Sequence, residues 1–406
     1  MIYWYQENLK PRFDTAAKAM VVASAFSIPM STAMMSISTG LLLLFWLLSG
    51  NFGEKFRTIG QSSISLWALG LFLLLAIGLT YTSAEASAAF DTFGKYKKLL
   101  FVPIIISLLL SEKWRRAAIY GFALGMTIIL LISCLRYFSL LEPRNDPSQA
   151  YTVFKSRIAH GIFMAFYFYL MVQLAIHNKT WRWIFSILAA LACFNLLFVN
   201  NGRSGYVVFA CLLFLLFYQK FNWKGLFSAG GALTILVALA FFTSTDFRDR
   251  ITESVSDVQS HVPGEYNHVS GIRYRIEYYL TTIKVMKKSP LIGHGTGSLA
   301  TEYKIIADEE GLRTTDNPHN EFMMITAQLG VIGLFLLCGL LYSHWRSSSR
   351  LDKEYRHIQY GLLVTMISGC MLNSLLLDSG EGKFYVIIMA LILSVPMSKE
   401  QKITNV

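Results

Sequence analysis

Charged residues are scarce in this sequence. Asp, Glu, Lys and Arg make up 15% of its 406 residues, whereas apolar residues make up 54%. Soluble domains carry about 25% charged residues. Long polar stretches are also lacking, except from Ser244 to Pro318. The composition therefore excludes a soluble globular protein and indicates a membrane protein.

Cysteine is rare and never paired in the sequence. The five cysteines all fall within predicted membrane spans, and none forms a CxxC pair. This pattern argues against a disulfide framework and against a zinc site. No Asp-x-Asp pair stands in the segments predicted outside the cytoplasm, since Asp246 and Asp249 are separated by two residues. A magnesium-dependent diphosphate site is therefore the less favoured option.

Apolar runs long enough to cross a membrane follow one another along the chain. A spanning helix needs about 20 mostly apolar residues, and the run from Ala16 to Leu48 is too long for one helix, so we expect a break at Pro29. The sequence predicts an all-α polytopic protein of about twelve spans. These lie at 15–31, 33–49, 62–82, 98–111, 117–140, 159–176, 183–199, 205–219, 225–243, 321–342, 358–376 and 384–397.

The distribution of Lys and Arg predicts the orientation of these spans. Alternate loops, together with both termini, collect 18 of the 36 cations but only seven acids, which accounts for the whole formal excess of +11. Because cations are retained on the cytoplasmic side, we expect both termini in the cytoplasm. Membrane topology also explains the net positive charge of the chain, so this charge does not indicate nucleic acid as a partner. The start lacks the pattern of a cleaved secretory signal, so the first span is expected to remain.

The long segment before Pro318 carries two local patterns. Apolar residues recur at helical spacing from Arg275 to Met286, which predicts an amphipathic helix at the membrane surface. The following segment 291–298 has glycine at alternate positions, which predicts a tight turn. A nucleotide-phosphate loop is a poor alternative, because the Lys and Ser/Thr pair is missing. We thus divide the chain into spans 1–243, an external loop 244–320 and a final part 321–406.

Arginines predicted on the external side are candidates for anion binding. Arg203 lies at a tight junction between two spans, and Arg273 and Arg275 lie at the start of the amphipathic helix. The planar guanidinium group can donate paired hydrogen bonds to two phosphate oxygens. Contact with lipid phosphates explains these residues equally well without a specific site.

His319 lies where the long loop returns to the membrane, in the sequence PHNE at 318–321. A histidine at a water-filled membrane mouth is suited to accept a proton near neutral pH. The neighbouring Asn317 or Asn320 could simply cap the next helix. Spacing alone does not decide between a catalytic and a structural histidine.

Three of these elements together resemble the signature of the O-antigen ligase and polymerase superfamily. They are the junction arginine Arg203, the stretch beginning RIEYY at 275–279 and ending KSPLIG at 288–293, and PHNEF at 318–322. The resemblance covers about 198–341 and follows the family order and spacing. It implies a GT-C-like membrane glycosyltransferase that takes its glycan from undecaprenyl diphosphate.

The resemblance also implies roles for individual residues. The two functional arginines of the family would be Arg203 and Arg275, and its histidine would be His319, with no metal, nucleotide or other cofactor. The expected partners are an undecaprenyl-diphosphate-linked glycan, the lipid A core as acceptor, and membrane lipids. The compact chain favours an O-antigen ligase of the inner membrane, with its active site on the periplasmic side.

Further residues and alternative functions remain open. The outer cations Lys97, Lys98 and Arg157 could extend the anionic site, although lipid contact explains them more simply. Asp378 could orient His319 or mark a turn. An O-antigen polymerase or an O-oligosaccharyltransferase would share the same signature. A transporter or flippase is disfavoured, because most span interiors are free of charge.

Overall fold

The computed structural model of the chain is helical throughout its regular structure. It describes residues 9–146, 149–153, 156–200, 202–245, 248–249, 251–252, 255–256 and 271–395. The helices are α1 Lys10–Met30, α2 Thr32–Leu48, α3 Phe52–Gln61, α4 Ser63–Gly78, α5 Ala86–Tyr96, α6 Phe101–Ile106, α7 Glu112–Tyr137, α8 Arg157–His177, α9 Arg182–Phe194, α10 Arg203–Phe221, α11 Trp223–Thr243, α12 Gly271–Lys288, α13 Leu299–Glu310, α14 Glu321–Ser348, α15 Lys353–Cys370 and α16 Ser379–Leu393. A 3₁₀ turn at Lys97–Leu100 precedes α6, and a π turn at Asn195–Val199 follows α9.

Several helices are suited to cross a membrane. Within the described ranges, six are long and apolar enough, namely α7, α8, α9 with its π turn, α10, α11 and α14. A seventh crossing results if α2 and α3 are counted as one bent pair. The chain is therefore a polytopic membrane protein, and length and apolarity alone support about half of the twelve predicted spans.

Three predicted boundaries differ in the structure. The predicted span 98–111 consists of the 3₁₀ turn and the six-residue helix α6, which is too short to cross a bilayer. The first break follows Pro29 by two residues, at Ser31, because the Ser31 side chain accepts hydrogen bonds from two backbone N–H groups of α2. The predicted span 358–376 ends at Cys370, and polar residues follow it.

Helix α8 forms the centre of the bundle. It packs against α9, α10 and α15. In its most apolar stretch of 18 residues, 83% of the residues are buried. Aromatic rings of neighbouring helices fill the space around it, with Phe163 and Phe384 4.8 Å apart between ring centroids. By contrast, α11 exposes large apolar side chains, among them Phe227 at 87% and Phe242 at 80%. Such a surface suits contact with lipid chains.

The predicted amphipathic helix and glycine turn are both present. Helix α12 covers 275–286 and extends beyond it at both ends. Gly293, Gly295 and Gly297 all have positive φ, a conformation that glycine adopts without steric cost. The backbone of Gly295 donates to the Gln328 carbonyl at 2.8 Å. This turn therefore anchors the loop against α14.

A kink in α14 receives the segment before this turn. Gly330 has φ 64° inside the helix, and the backbone N–H of the next residue, Val331, donates to the carbonyl of Pro290 at 2.9 Å. A Cβ on Gly330 would lie 2.1 Å from the Leu291 carbonyl oxygen, so a side chain has no room there. The contact holds the end of α12 against α14.

Candidate active site

Helix α12 brings an arginine and two tyrosines to one end of the bundle. Arg275, Tyr278 and Tyr279 lie within about one turn of each other. The Tyr279 hydroxyl lies 2.8 Å from the carbonyl oxygen of Met371 and 3.3 Å from that of His319. The Tyr278 ring stacks on the His319 ring with centroids 6.1 Å apart. Both tyrosines therefore tie α12 to the segment that carries His319.

The backbone around His319 is held in an unusual conformation. His319 has φ 54°, a left-handed value that is uncommon for residues other than glycine. Its backbone N–H donates to Asn317 Oδ1 at 2.8 Å, and the Ser374 hydroxyl donates to the same oxygen at 2.8 Å. Asn320 then caps α14 by accepting from the Met323 N–H at 3.1 Å. Asn317 thus fixes the histidine, whereas Asn320 caps the helix.

The surroundings of His319 favour a neutral imidazole. Burial lowers the pKa of His319 below its usual value, and the positive charge of Arg275 lowers it further, while Asp316 raises it. A neutral ring can accept a proton near pH 7. Asp316 is therefore close enough to act on His319, while Asp378 as its orienting acid stays a prediction.

A bridging asparagine joins Arg275 to the Arg203 region. Asn373, in the turn after α15, accepts a hydrogen bond from Arg275 Nη2 at 3.3 Å. Its amide nitrogen donates to the Ser204 hydroxyl at 3.1 Å, next to Arg203 at the start of α10. Asn373 is buried, with 3% of its surface exposed. The Asn373 side chain therefore connects Arg275 to Ser204, the residue that follows Arg203.

Arg157 and Arg203 occupy matching positions on two neighbouring helices. Each is the first residue of its helix, α8 or α10. The helices touch at Gly161 and Gly205, where a Cβ on Gly205 would lie 2.8 Å from the Gly161 Cα. The positive charges of Arg203 and Arg157 lower the pKa of Arg275, after the larger effect of burial. Arg203 and Arg157 are therefore both close enough for their charges to act on Arg275.

This concentration of positive charge suits an anion. Like charges brought together in a partly buried site are unfavourable until an anion compensates them. The amino ends of α8 and α10 add the partial positive charge of their helix dipoles. A diphosphate matches both features, because it carries multiple negative charges and oxygens that accept bidentate hydrogen bonds.

The other predicted cations lie elsewhere. Lys98 is buried, and its Nζ donates to the carbonyls of Leu376 at 2.8 Å and Asp378 at 2.5 Å. Lys98 therefore holds the turn before α16. Lys97 is exposed on the 3₁₀ turn. Arg273 precedes Arg275 by two residues, about 200° around the helix, and so projects from another face.

A buried carboxylate that sequence reasoning missed supports this site. Glu321, two residues after His319, is fully buried and accepts from the Tyr96 hydroxyl at 2.8 Å. Its other oxygen accepts from the backbone N–H groups of Leu376 at 2.8 Å and Leu377 at 3.1 Å. Glu321 thus ties the histidine segment to the turn that carries Asn373.

A polar cavity of about 460 Å³ lies beside the histidine segment. Asp316 and Asn317 form part of its wall, and Asp378 lines it at the amino end of α16. Asp91 and Lys95 of α5 also line it. Carboxylate, amide and amine groups of this kind hydrogen-bond sugar hydroxyls. Asp378 therefore belongs to this cavity.

Sequence signals for the missed residues are weak but present. Asn373 and Ser374 interrupt an otherwise apolar run, and a polar pair at a span end marks either a turn or a site. The predicted residues Arg203, Arg275 and His319 converge with Arg157. Lys98 donates to backbone carbonyls and Asp378 lines the neighbouring polar cavity, while site roles for Lys97 and Arg273 stay predictions.

A family model matches part of the chain. Residues 187–338 match a family model described as O-Antigen ligase. The matched segment includes Arg203, Arg275 and His319, whereas Arg157 and Asn373 lie outside it. No curated protein matches the chain.

Proposed function

We propose that the chain is a member of the O-antigen ligase and polymerase superfamily, whose family model matches residues 187–338, and that it transfers a glycan from undecaprenyl diphosphate to the lipid A core oligosaccharide. The observation that carries this proposal is the position of Arg275, which donates to Asn373, acts with its charge on His319 and lies within the influence of the charges of Arg203 and Arg157. We further propose that the reaction takes place at the periplasmic face of the bacterial inner membrane and completes lipopolysaccharide.

The arginines have a defined task in this reaction. When the bond from the anomeric carbon to the diphosphate breaks, negative charge accumulates on the leaving diphosphate. Fixed cations in a site of low dielectric stabilise that charge without reorganisation. Arg203 and Arg275 hold the diphosphate oxygens, and Arg157 adds positive charge at the same end of the bundle. We therefore expect transfer without a divalent ion.

His319 acts on the acceptor. Its neutral imidazole takes the proton from a core sugar hydroxyl, and the resulting oxygen attacks the anomeric carbon of the donor. One C–O bond forms while the C–O bond to the diphosphate breaks, so the configuration at that carbon inverts. The electron pair leaves with the undecaprenyl diphosphate, and the histidine proton passes to solvent. The polar cavity beside Asp316 and Asn317 is the proposed binding place of the acceptor sugar.

The orientation of the helices supports a periplasmic site. Helices α8, α10 and α14 begin at the site end, whereas α15 ends there. The opposite end carries cations such as Arg182, Lys220 and Arg350, which favour the cytoplasm. We propose about twelve crossings in a GT-C-like arrangement, which include shorter or less apolar helices such as α1, α4, α15 and α16, with both termini in the cytoplasm.

Purified protein in proteoliposomes tests the proposal. It receives undecaprenyl-diphosphate-linked glycan and lipid A core, in the presence of a chelator and without ATP, and the products are separated on a gel. Glycan attached to the core supports a ligase. Lengthening of the lipid-linked glycan alone would instead assign the chain to the polymerases, and attachment to protein to the O-oligosaccharyltransferases. Intact folded protein without any transfer would favour a transporter.

Variants test the assigned roles. Because His319→Ala removes the proton acceptor, we expect transfer to fall by at least 100-fold, since general base catalysis contributes about 10²–10⁴. Arg275→Lys removes the bidentate fork and is expected to impair transfer strongly. Arg248→Lys, an exposed arginine of the long loop, is the matched control. Normal turnover of His319→Ala would exclude His319 as the base.

A further inference from the structure

A second cavity lies at the opposite end of the bundle from the candidate active site. Its volume is about 910 Å³, and α8, α9, α10 and α15 surround it. Apolar side chains, including Phe168, Leu213 and Phe217, form most of its wall. None of the residues assigned to the glycan reaction lines it.

Cations and polar groups gather at one part of this wall. Arg182, Lys220 and Lys353 line the cavity and are exposed, and His177 and His357 lie beside them. No carboxylate is among the described lining residues. The charge of this rim is therefore complementary to an anion.

Two glutamines deeper in the wall have unsatisfied hydrogen-bonding atoms. Gln173, 1% exposed, donates from Nε2 to Gln219 Oε1 at 2.8 Å. Gln173 Oε1 and Gln219 Nε2 are buried without a hydrogen-bond partner among the described residues. A buried amide atom without a partner costs about 1–3 kcal/mol. A polar group of a ligand would satisfy one acceptor and one donor here.

We propose that this cavity binds an anionic phospholipid with a single phosphate in its headgroup. The acyl chain lies along the apolar wall, while an ester carbonyl oxygen accepts a hydrogen bond from Gln219 Nε2. The phosphate lies between Arg182, Lys220 and Lys353. Basic pockets between membrane helices commonly bind acidic headgroups in this way. The bound lipid would brace α8 and α10, whose other ends carry Arg157 and Arg203.

Native mass spectrometry of the full chain in detergent tests this proposal. The protein is titrated with phosphatidylglycerol and with phosphatidylcholine of identical acyl chains. We expect phosphatidylglycerol to bind at least tenfold more tightly. Equal binding of the two lipids would overturn the proposal, because the rim cations would then contribute nothing.

Charge variants locate the binding site. The triple variant Arg182→Gln, Lys220→Gln, Lys353→Gln is expected to reduce the preference for phosphatidylglycerol to less than threefold. The matched control removes three exposed cations of the same end that do not line the cavity, namely Lys113→Gln, Lys224→Gln and Arg350→Gln, and should keep the preference. An equal loss in both variants would overturn the proposal, since net charge alone would explain it.

Two further measurements separate the remaining explanations. Ala189→Phe fills the apolar wall and is expected to weaken binding of both lipids at least fivefold, with thermal unfolding in detergent as the check of folding. Unchanged binding in a folded Ala189→Phe protein would contradict the proposed place of the acyl chain. Undecaprenyl phosphate is added as competitor. If it displaced phosphatidylglycerol at equimolar amounts, the cavity would be a site for the carrier lipid and the proposal would be wrong.

Discussion

Replacing Asn373 with Asp tests whether Arg275 is available to the donor diphosphate. The Asn373 oxygen lies 3.3 Å from Arg275 Nη2. A carboxylate there would attract the guanidinium group by about 5 kcal/mol at an effective dielectric constant of about 20. Arg275 is partly exposed, so solvent screens some of this attraction. We therefore take about half of it, ~2.5 kcal/mol, as the loss of donor-binding free energy. The expected result is a rise of about 70-fold in donor KM.

The assay measures initial rates of glycan transfer against donor concentration, at saturating acceptor. Asn373→Ala is the uncharged comparison, because it loses the bonds to Arg275 and Ser204 and adds no charge. A lost hydrogen bond contributes about 0.5–1.5 kcal/mol, so its donor KM should rise about tenfold or less. If Asn373→Asp kept a donor KM within threefold of the wild type, Arg275 would not hold the diphosphate. Equal effects of the two variants would assign the loss to geometry rather than charge.

Three other predictions concern the acid, the glycine turn and the buried carboxylate. Asp316→Asn removes the charge that raises the pKa of His319, so the acidic limb of the kcat/KM profile should move to lower pH; a shift to higher pH would contradict this coupling. Gly295→Ala would place a Cβ 2.2 Å from the Thr82 Cα at φ 91°. It should lower the free energy of unfolding by more than Gly311→Ala, whose Cβ meets no neighbour and which costs about 1–2 kcal/mol. Equal melting temperatures of the two variants would refute the docked turn. Glu321→Ala leaves three buried donors without their acceptor and should lower the free energy of unfolding by about 3–5 kcal/mol, with Glu321→Gln intermediate; a thermal scan showing no loss would contradict this anchoring role.

The sequence predicted candidate site residues and their order along the chain. It did not predict which of these residues contact one another or their further partners. Arg203, Arg275 and His319 were identified because their local sequences resemble one family pattern. Asn373 was missed, since its partners Arg275 and Ser204 are 98 and 169 residues away in the chain. No local spacing encodes contacts of that range.

The membrane class, helix α12 and the glycine turn could be predicted from the sequence alone, and the three site residues stay a prediction. Each depends on composition, helical periodicity or a short motif, which are local properties. Only the tertiary structure decided which cations share a site. Lys98 and Arg157 appeared equivalent as outer cations, yet Lys98 donates to backbone carbonyls, while the charge of Arg157 acts on Arg275. Packing of distant helices sets the surroundings of each charge, and those surroundings decide whether the charge supports the fold or binds a ligand.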